Sequence, residues 1–154
     1  MTAELHHRRI LVVDDDAEVR ELLSTTLRQR ALTVDAAGDG DEAVELLREN
    51  RYSVVLLDLI MPELDGFGVL DALAADAITP PVVLVVTGAD RSMVERLDSR
   101  RIHGVVRKPF DPHELADVVA ACADIRGRSA FETMALTTMI SGAPLIAWWA
   151  STKL

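Results

Sequence analysis

The sequence predicts an α/β fold: a doubly wound parallel sheet of five strands with helices on both faces. Two observations predict it. Apolar runs alternate with stretches of helical period, strand then helix, five times over. The runs are continuous rather than alternating, as in strands buried on both faces and joined by helical crossovers. A third observation sets the scale. The chain has 154 residues, 49% of them apolar, enough for one domain with a full core and a short appendage.

Each element has its own signal. Residues 9–13 are the first strand, carried by Ile10-Leu11-Val12-Val13. Val19, Leu22, Leu23 and Leu27 then share one helix face over residues 17–30, with Asp16 as the N-cap. Residues 32–36 are a weaker strand, and Gly38-Asp39-Gly40 is a turn. Ala43, Leu46 and Leu47 mark a second helix over 41–50, and residues 53–58 are a strong strand. Phe67, Leu70, Leu73 and Ala74 mark a third helix, which Pro80-Pro81 ends. Val82 to Val86 form a fourth strand ending in Thr87-Gly88. Met93, Val94 and Leu97 place a fourth helix over Arg91 to Arg100. Residues 103–107 are the last strand, and Leu115, Val118, Val119 and Cys122 face the core from a helix over 112–124.

Composition narrows the function. Aromatic residues make up 4%, so the core is built from Val, Leu, Ala and Ile. The formal charge is −9 and the pI is near 4.8. An acidic chain disfavours direct nucleic-acid binding, since phosphate contacts need a basic surface, but it suits a cation pocket or basic protein partners. The single cysteine, Cys122, lies on an apolar helix face and reads as a buried, inert thiol. His6, His7, His103 and His113 show no metal-ligand spacing. Met1 to Arg9 is polar and lacks the apolar stretch of a secretory signal, so a cytoplasmic protein is expected.

The chemistry lies at the strand ends. A parallel sheet brings the C-terminal ends of its strands to one edge, where open α/β sheets bind ligands. That edge receives Asp14, Asp15 and Asp16 after the first strand and Asp58 after the third. It also receives Thr87 after the fourth and Lys108 after the fifth. Crowded carboxylates call for a cation, and Mg²⁺ takes one or two carboxylates plus waters and phosphate oxygens. A hydroxyl and an ammonium suit the oxygens of a phosphoryl group. A carboxylate can be the nucleophile that accepts it. The set therefore points to Mg²⁺-dependent phosphoryl transfer onto an aspartate.

In their order these residues resemble the receiver domain of two-component response regulators. The resemblance rests on Asp14-Asp15, on Asp58 within Leu57-Asp58-Leu59-Ile60-Met61-Pro62-Glu63-Leu64-Asp65-Gly66, on Thr87-Gly88 and on Lys108-Pro109-Phe110. It covers residues 8–125 as a receiver domain and leaves 126–154 as a C-terminal extension. It implies a flavodoxin-like (βα)5 fold with strand order 2-1-3-4-5. Asp58 is then the phosphoacceptor, supplied by a sensor histidine kinase or a phosphotransfer protein. Asp15 and Asp58, the Ile60 carbonyl and, through water, Asp14 would hold Mg²⁺. Thr87 would hydrogen-bond the phosphoryl group and Lys108 would pair with it. The Lys108–Pro109 bond is expected to be cis. Such a chain is a signalling switch rather than an enzyme, catalysing only its own phosphorylation and dephosphorylation. Its output is expected through a downstream protein target rather than nucleic acid, from the surface around the fourth helix, fifth strand and fifth helix.

The departures matter as well. The family's aromatic switch position, three before the lysine, is Val105 here, which has no ring to follow Thr87. The segment from Thr87 to Lys108 is one residue shorter than the family's usual length. Two beyond Asp58 and Thr87 stand Ile60 and Ala89, positions that influence hydrolysis of the acyl phosphate in this family. Neither side chain can orient a water molecule.

Residues 126–154 begin with a linker-like Arg126-Gly127-Arg128-Ser129 and end in an apolar stretch with Trp148-Trp149. Met134 to Ala150 is shorter than the roughly 20 residues of a membrane span and carries polar breaks, so no span is expected. Packing on its own domain or on a second copy, as a homodimer, is the expectation, ahead of a membrane-surface anchor or a truncated link to an output domain. Two other readings stay open. One is an interaction module that works without phosphorylation, its tail serving self-association or tethering. The other is a small phosphotransferase or phosphatase with an aspartyl-phosphate intermediate. Such enzymes place the acceptor after the first strand and need a cap domain.

Overall fold

The computed structural model describes residues 8–76 and 80–124. Five strands form one parallel sheet in the order β2-β1-β3-β4-β5, as expected. They are β1 (Arg9–Val13), β2 (Thr33–Ala37), β3 (Val54–Leu57), β4 (Val82–Thr87) and β5 (Gly104–Arg107). Every residue of β3 and β4 is buried, which is why their sequences are continuous apolar runs. The edge strand β2 has exposed positions, and its signal is correspondingly weak.

The helices are α1 (Ala17–Arg28), α2 (Gly40–Glu49), α3 (Gly66–Asp76), α4 (Arg91–Glu95) and α5 (Pro112–Asp124). Alternate strand residues feed two cores. Leu11, Val13, Val55, Leu57, Val83 and Val85 pack with residues of α2, α3 and α4 on one face. Ile10, Val12, Val54, Leu56, Leu84 and Val86 pack with α1 and α5 on the other. Cys122 is in this second core, where burial pushes its thiol up to about 11, so it stays protonated and inert.

An aspartate opens each helix. Asp16 accepts from the Glu18 and Val19 amides, Asp39 from Glu42 and Asp65 from Gly68. Asp90 accepts from Met93, and Asp111 from His113 and Glu114. These side chains satisfy amides that a helix start leaves open and oppose the positive end of its dipole. Much of the acidic excess is therefore structural.

The fourth helix departs from expectation. It ends at Glu95 instead of continuing to Arg100. Arg96 and Leu97 donate to the carbonyls three residues back, Met93 and Val94, which tightens the last turn. Asp98 then takes the Arg100 amide and guanidinium, holding a turn where helix was expected. The other boundaries lie within a few residues of the sequence reading. Among the described residues no helix is long and apolar enough to cross a membrane. The reading of the 126–154 extension and of Met1–His7 lies outside the described residues.

Candidate functional site at the strand ends

Strand register builds the site. In the ladder between β1 and β3, Val13 lies opposite Leu57, so Asp14 and Asp58, one residue on, leave the sheet side by side. The Asp58 amide donates to the Val13 carbonyl at 3.0 Å, extending the ladder to the acid itself. Both aspartates are buried, 2% and 5% exposed. Asp15 is exposed, yet one carboxylate oxygen from each of Asp14, Asp15 and Asp58 lies within 4.8 Å of the others.

Lys108 follows β5 and reaches back to this pair. Its ammonium donates to Asp14 Oδ2 at 2.6 Å and to Asp58 Oδ2 at 3.1 Å. Its amide donates to the Thr87 carbonyl at 3.0 Å, and the peptide bond to Pro109 is cis. The remaining oxygens are held by backbone. Asp14 Oδ1 accepts from the Asp16 amide at 2.9 Å, and Asp58 Oδ1 from the Ile60 amide at 3.2 Å.

The charges do not balance. Burial raises the pKa of Asp14 above the ordinary carboxylate value; Lys108 and the Asp16 amide oppose that rise, and Asp58 adds to it. For Lys108 burial is the largest single influence and works against its charge. Its bonds to Asp14 and Asp58 together outweigh it, and its pKa ends raised. Three carboxylates face one ammonium. The excess negative charge, carried on oxygens at this spacing, fits a hard divalent cation that keeps several waters.

Thr87 closes the fourth strand, fully buried, and its hydroxyl accepts from the Ala89 amide at 3.1 Å. Val105 sits elsewhere. It pairs with Val85 in the ladder and is buried in the core that Val94 of α4 and Leu97 just beyond it also line. Ile60 is 52% exposed beside Asp58, and Ala89 is buried. A Cβ on Gly88 would find Lys108 Cβ no nearer than 4.0 Å, so the protein's own atoms leave room there. His103 is structural: its Nδ1 accepts the Val83 amide at 3.0 Å.

Two residues here, Arg20 and Arg107, escaped the sequence reading, and a third, Gly66, was read without its structural role. Arg20 of α1 donates to the Asp14 carbonyl at 2.7 Å and packs over Gly38. Arg107 donates to the Ala89 carbonyl. Gly66 lets α3 start against the acid loop; a Cβ there would lie 2.4 Å from the Asp58 carbonyl oxygen. Only Gly66 left a sequence signal, as a glycine in the Asp58 motif.

Known proteins bear on this arrangement. The response regulator receiver domain matches residues 10–120. The probable transcriptional regulator ycf27 of Guillardia theta is 34% identical over 132 residues, 86% of this chain and 52% of that protein. The transcriptional regulatory protein SrrA of Staphylococcus aureus is 39% identical over 106 residues, 69% of this chain and 44% of that protein. A solved structure of the response regulator TrrA from Thermotoga maritima, in complex with Mg²⁺-BeF, superposes with a TM-score of 0.66 at 30% identity. It covers 75% of this chain and 98% of its own.

The relatives correct one expectation. The acidic charge argued against direct nucleic-acid binding, yet the matched relatives are transcriptional regulators. The present chain spans about half of their length, so its own charge does not speak for such proteins as a whole. Part of the acidic charge is also local, held in helix caps and strand-end carboxylates. With the sheet order, the acid pair bridged by lysine and the matched span all in agreement, the chain belongs to the response regulator receiver domain family.

Proposed function

We propose that the protein is a phosphorylation-dependent signalling switch with Asp58 as its acceptor. The observation that carries the reading is the buried Asp14–Asp58 pair, bridged by Lys108 and joined by Asp15. Asp58 attacks phosphorus with the carboxylate oxygen facing the pocket. A phosphohistidine of a sensor kinase or phosphotransfer protein is the donor class. The new O–P bond forms as the donor's P–N bond breaks, and the imidazole keeps the electron pair.

Asp14, Asp15 and Asp58 are the side chains that would hold Mg²⁺, with the Ile60 carbonyl as a further ligand. When bound, the ion supplies charge that offsets repulsion between carboxylate and phosphoryl oxygens. The solved TrrA complex with Mg²⁺-BeF supports the same assignment by likeness. Lys108 supplies a positive charge that can pass from Asp58 to a phosphoryl oxygen. Thr87 supplies a hydroxyl whose hydrogen stays available while it accepts from Ala89. A phosphorylated conformer gains contacts that the other lacks, and this difference shifts the population. The matched relatives regulate transcription, and transcriptional control is the output this likeness supports.

Incubation with acetyl phosphate tests the reading. Labelling is expected with Mg²⁺, and not after chelation or in Asp58→Asn. Absence of label in a folded wild-type protein, with partner binding intact, would favour an interaction module that works without phosphorylation. Turnover of an external phosphoester would favour an enzyme.

A further inference from the structure

Val105 leaves the switch without an aromatic reporter, and the residue next to Lys108 offers another route. Ala89 is held at both of its backbone groups. Its amide donates to the Thr87 hydroxyl at 3.1 Å, and its carbonyl accepts from the Arg107 guanidinium. Arg107 lies opposite Thr87 in the ladder between β4 and β5 and directly precedes Lys108. Thr87 and Lys108, the two groups that would meet a phosphoryl oxygen beside Asp58, therefore flank a single linkage. A shift of Thr87 that keeps its bond to the Ala89 amide carries Ala89 with it, and a shift of Ala89 strains its bond to Arg107.

The linkage leads outward. Arg107 is exposed on β5, whereas Val105 is buried. Ala89 is followed by Asp90, which caps α4 through the Met93 amide at 2.9 Å. The Ser92 hydroxyl and Met93 amide hold the Asp90 carboxyl below its ordinary range, and the Arg107 charge adds to that. A shift at Ala89 thus reaches the first turn of a helix only five residues long.

Resting on the assignment of Asp58 as acceptor, we propose that Arg107 is the positioning residue of the switch. It holds the Thr87–Ala89 segment in its unphosphorylated setting and passes release of that segment to α4. The hold favours the unphosphorylated conformer, so removing it enlarges the fraction competent to bind a phosphoryl group.

The experiment compares wild type, Arg107→Ala and Arg107→Lys in the full chain. Beryllofluoride with Mg²⁺ is the phosphoryl probe, and hydrogen exchange follows the Ala89 amide. Arg107→Ala is expected to bind beryllofluoride about fivefold more tightly. It should exchange the Ala89 amide faster by a similar factor, with Mg²⁺ affinity without beryllofluoride held within about twofold. Arg107→Lys keeps a charged donor and should lie between the two. Mere structural damage would weaken probe binding rather than strengthen it. Equal or weaker beryllofluoride binding by a folded Arg107→Ala, or unchanged Ala89 exchange, overturns the proposal. Failure of wild type itself to bind the probe overturns the acceptor assignment and this inference with it.

Discussion

Asp14 carries the electrostatic cost of the site. Burial raises its pKa, so the folded state resists its ionisation. Its folded pKa stands above the unfolded one, and its contribution turns unfavourable as pH rises from the unfolded to the folded value. Asp14→Asn is therefore expected to raise the melting temperature of metal-free protein by a few degrees near neutral pH. The difference should shrink in acid, where both side chains are neutral; melting curves in chelator across pH check this. Lys108 has the opposite sense. Its raised pKa stabilises the fold below its unfolded value of 10.5, and that contribution is lost as pH rises through the folded value. Lys108→Ala leaves two buried carboxylates facing each other and should cost roughly 2 kcal/mol by denaturant melts, with Mg²⁺ restoring part of it. Ile60 and Ala89 offer no polar side chain to orient water at the acyl phosphate. Phosphorylated protein alone is expected to keep its label for minutes or longer, and loss within seconds would contradict this. Asp14, Asp58 and Thr87 were legible in the sequence because each closes an apolar run, and Lys108 through its place in the Lys108-Pro109-Phe110 motif. Arg20 and Arg107 were not. A sequence arginine reads as a solvated charge until the fold shows which carbonyl it reaches.

At the scale of elements, the central strands were the most legible. Burial on both faces forces an unbroken apolar run in β3 and β4, whereas β2 at the edge has exposed positions and reads weakly. The length of α4 was not legible, because Met93, Val94 and Leu97 keep helical spacing across a chain that has already turned. What stopped the helix was the Asp98 turn, a competition between side-chain and backbone hydrogen bonds. The junction of β3 with α3 depends on close backbone approach at Gly66. Gly66→Ala forces the Asp58 carbonyl aside and should cost about 1–3 kcal/mol in denaturant melts, with weaker Mg²⁺ binding. In α1 the buried Ser24 hydroxyl has no hydrogen-bond partner among the described residues. Ser24→Ala removes that penalty and improves helix propensity, and should stabilise by about 1 kcal/mol in the same melts.

For the whole molecule, the two cores meet on one sheet whose C-terminal edge gathers the charged groups of the site. Among the described residues, both cores draw on the stretch from Ile10 to Ala123, and the site on Asp14 to Lys108. Removing residues 126–154 is therefore expected to leave Asp58 labelling by acetyl phosphate intact; loss of labelling in a folded, truncated protein would give the extension a part in the site. The parallel fold could be read from the sequence because connection rules leave few topologies for five alternating units, while the strand order came with the family resemblance. Net charge misled on nucleic acid, since it sums helix caps and strand-end acids without regard to place. The central claim is that one carboxylate, Asp58, accepts the phosphoryl group. The most direct measurement is reductive trapping: treat the protein with acetyl phosphate and Mg²⁺, reduce with borohydride, and sequence the peptides by mass spectrometry. The account predicts homoserine at position 58 and nowhere else. Reduction at Asp14, Asp15 or another aspartate, with position 58 unchanged, would contradict it.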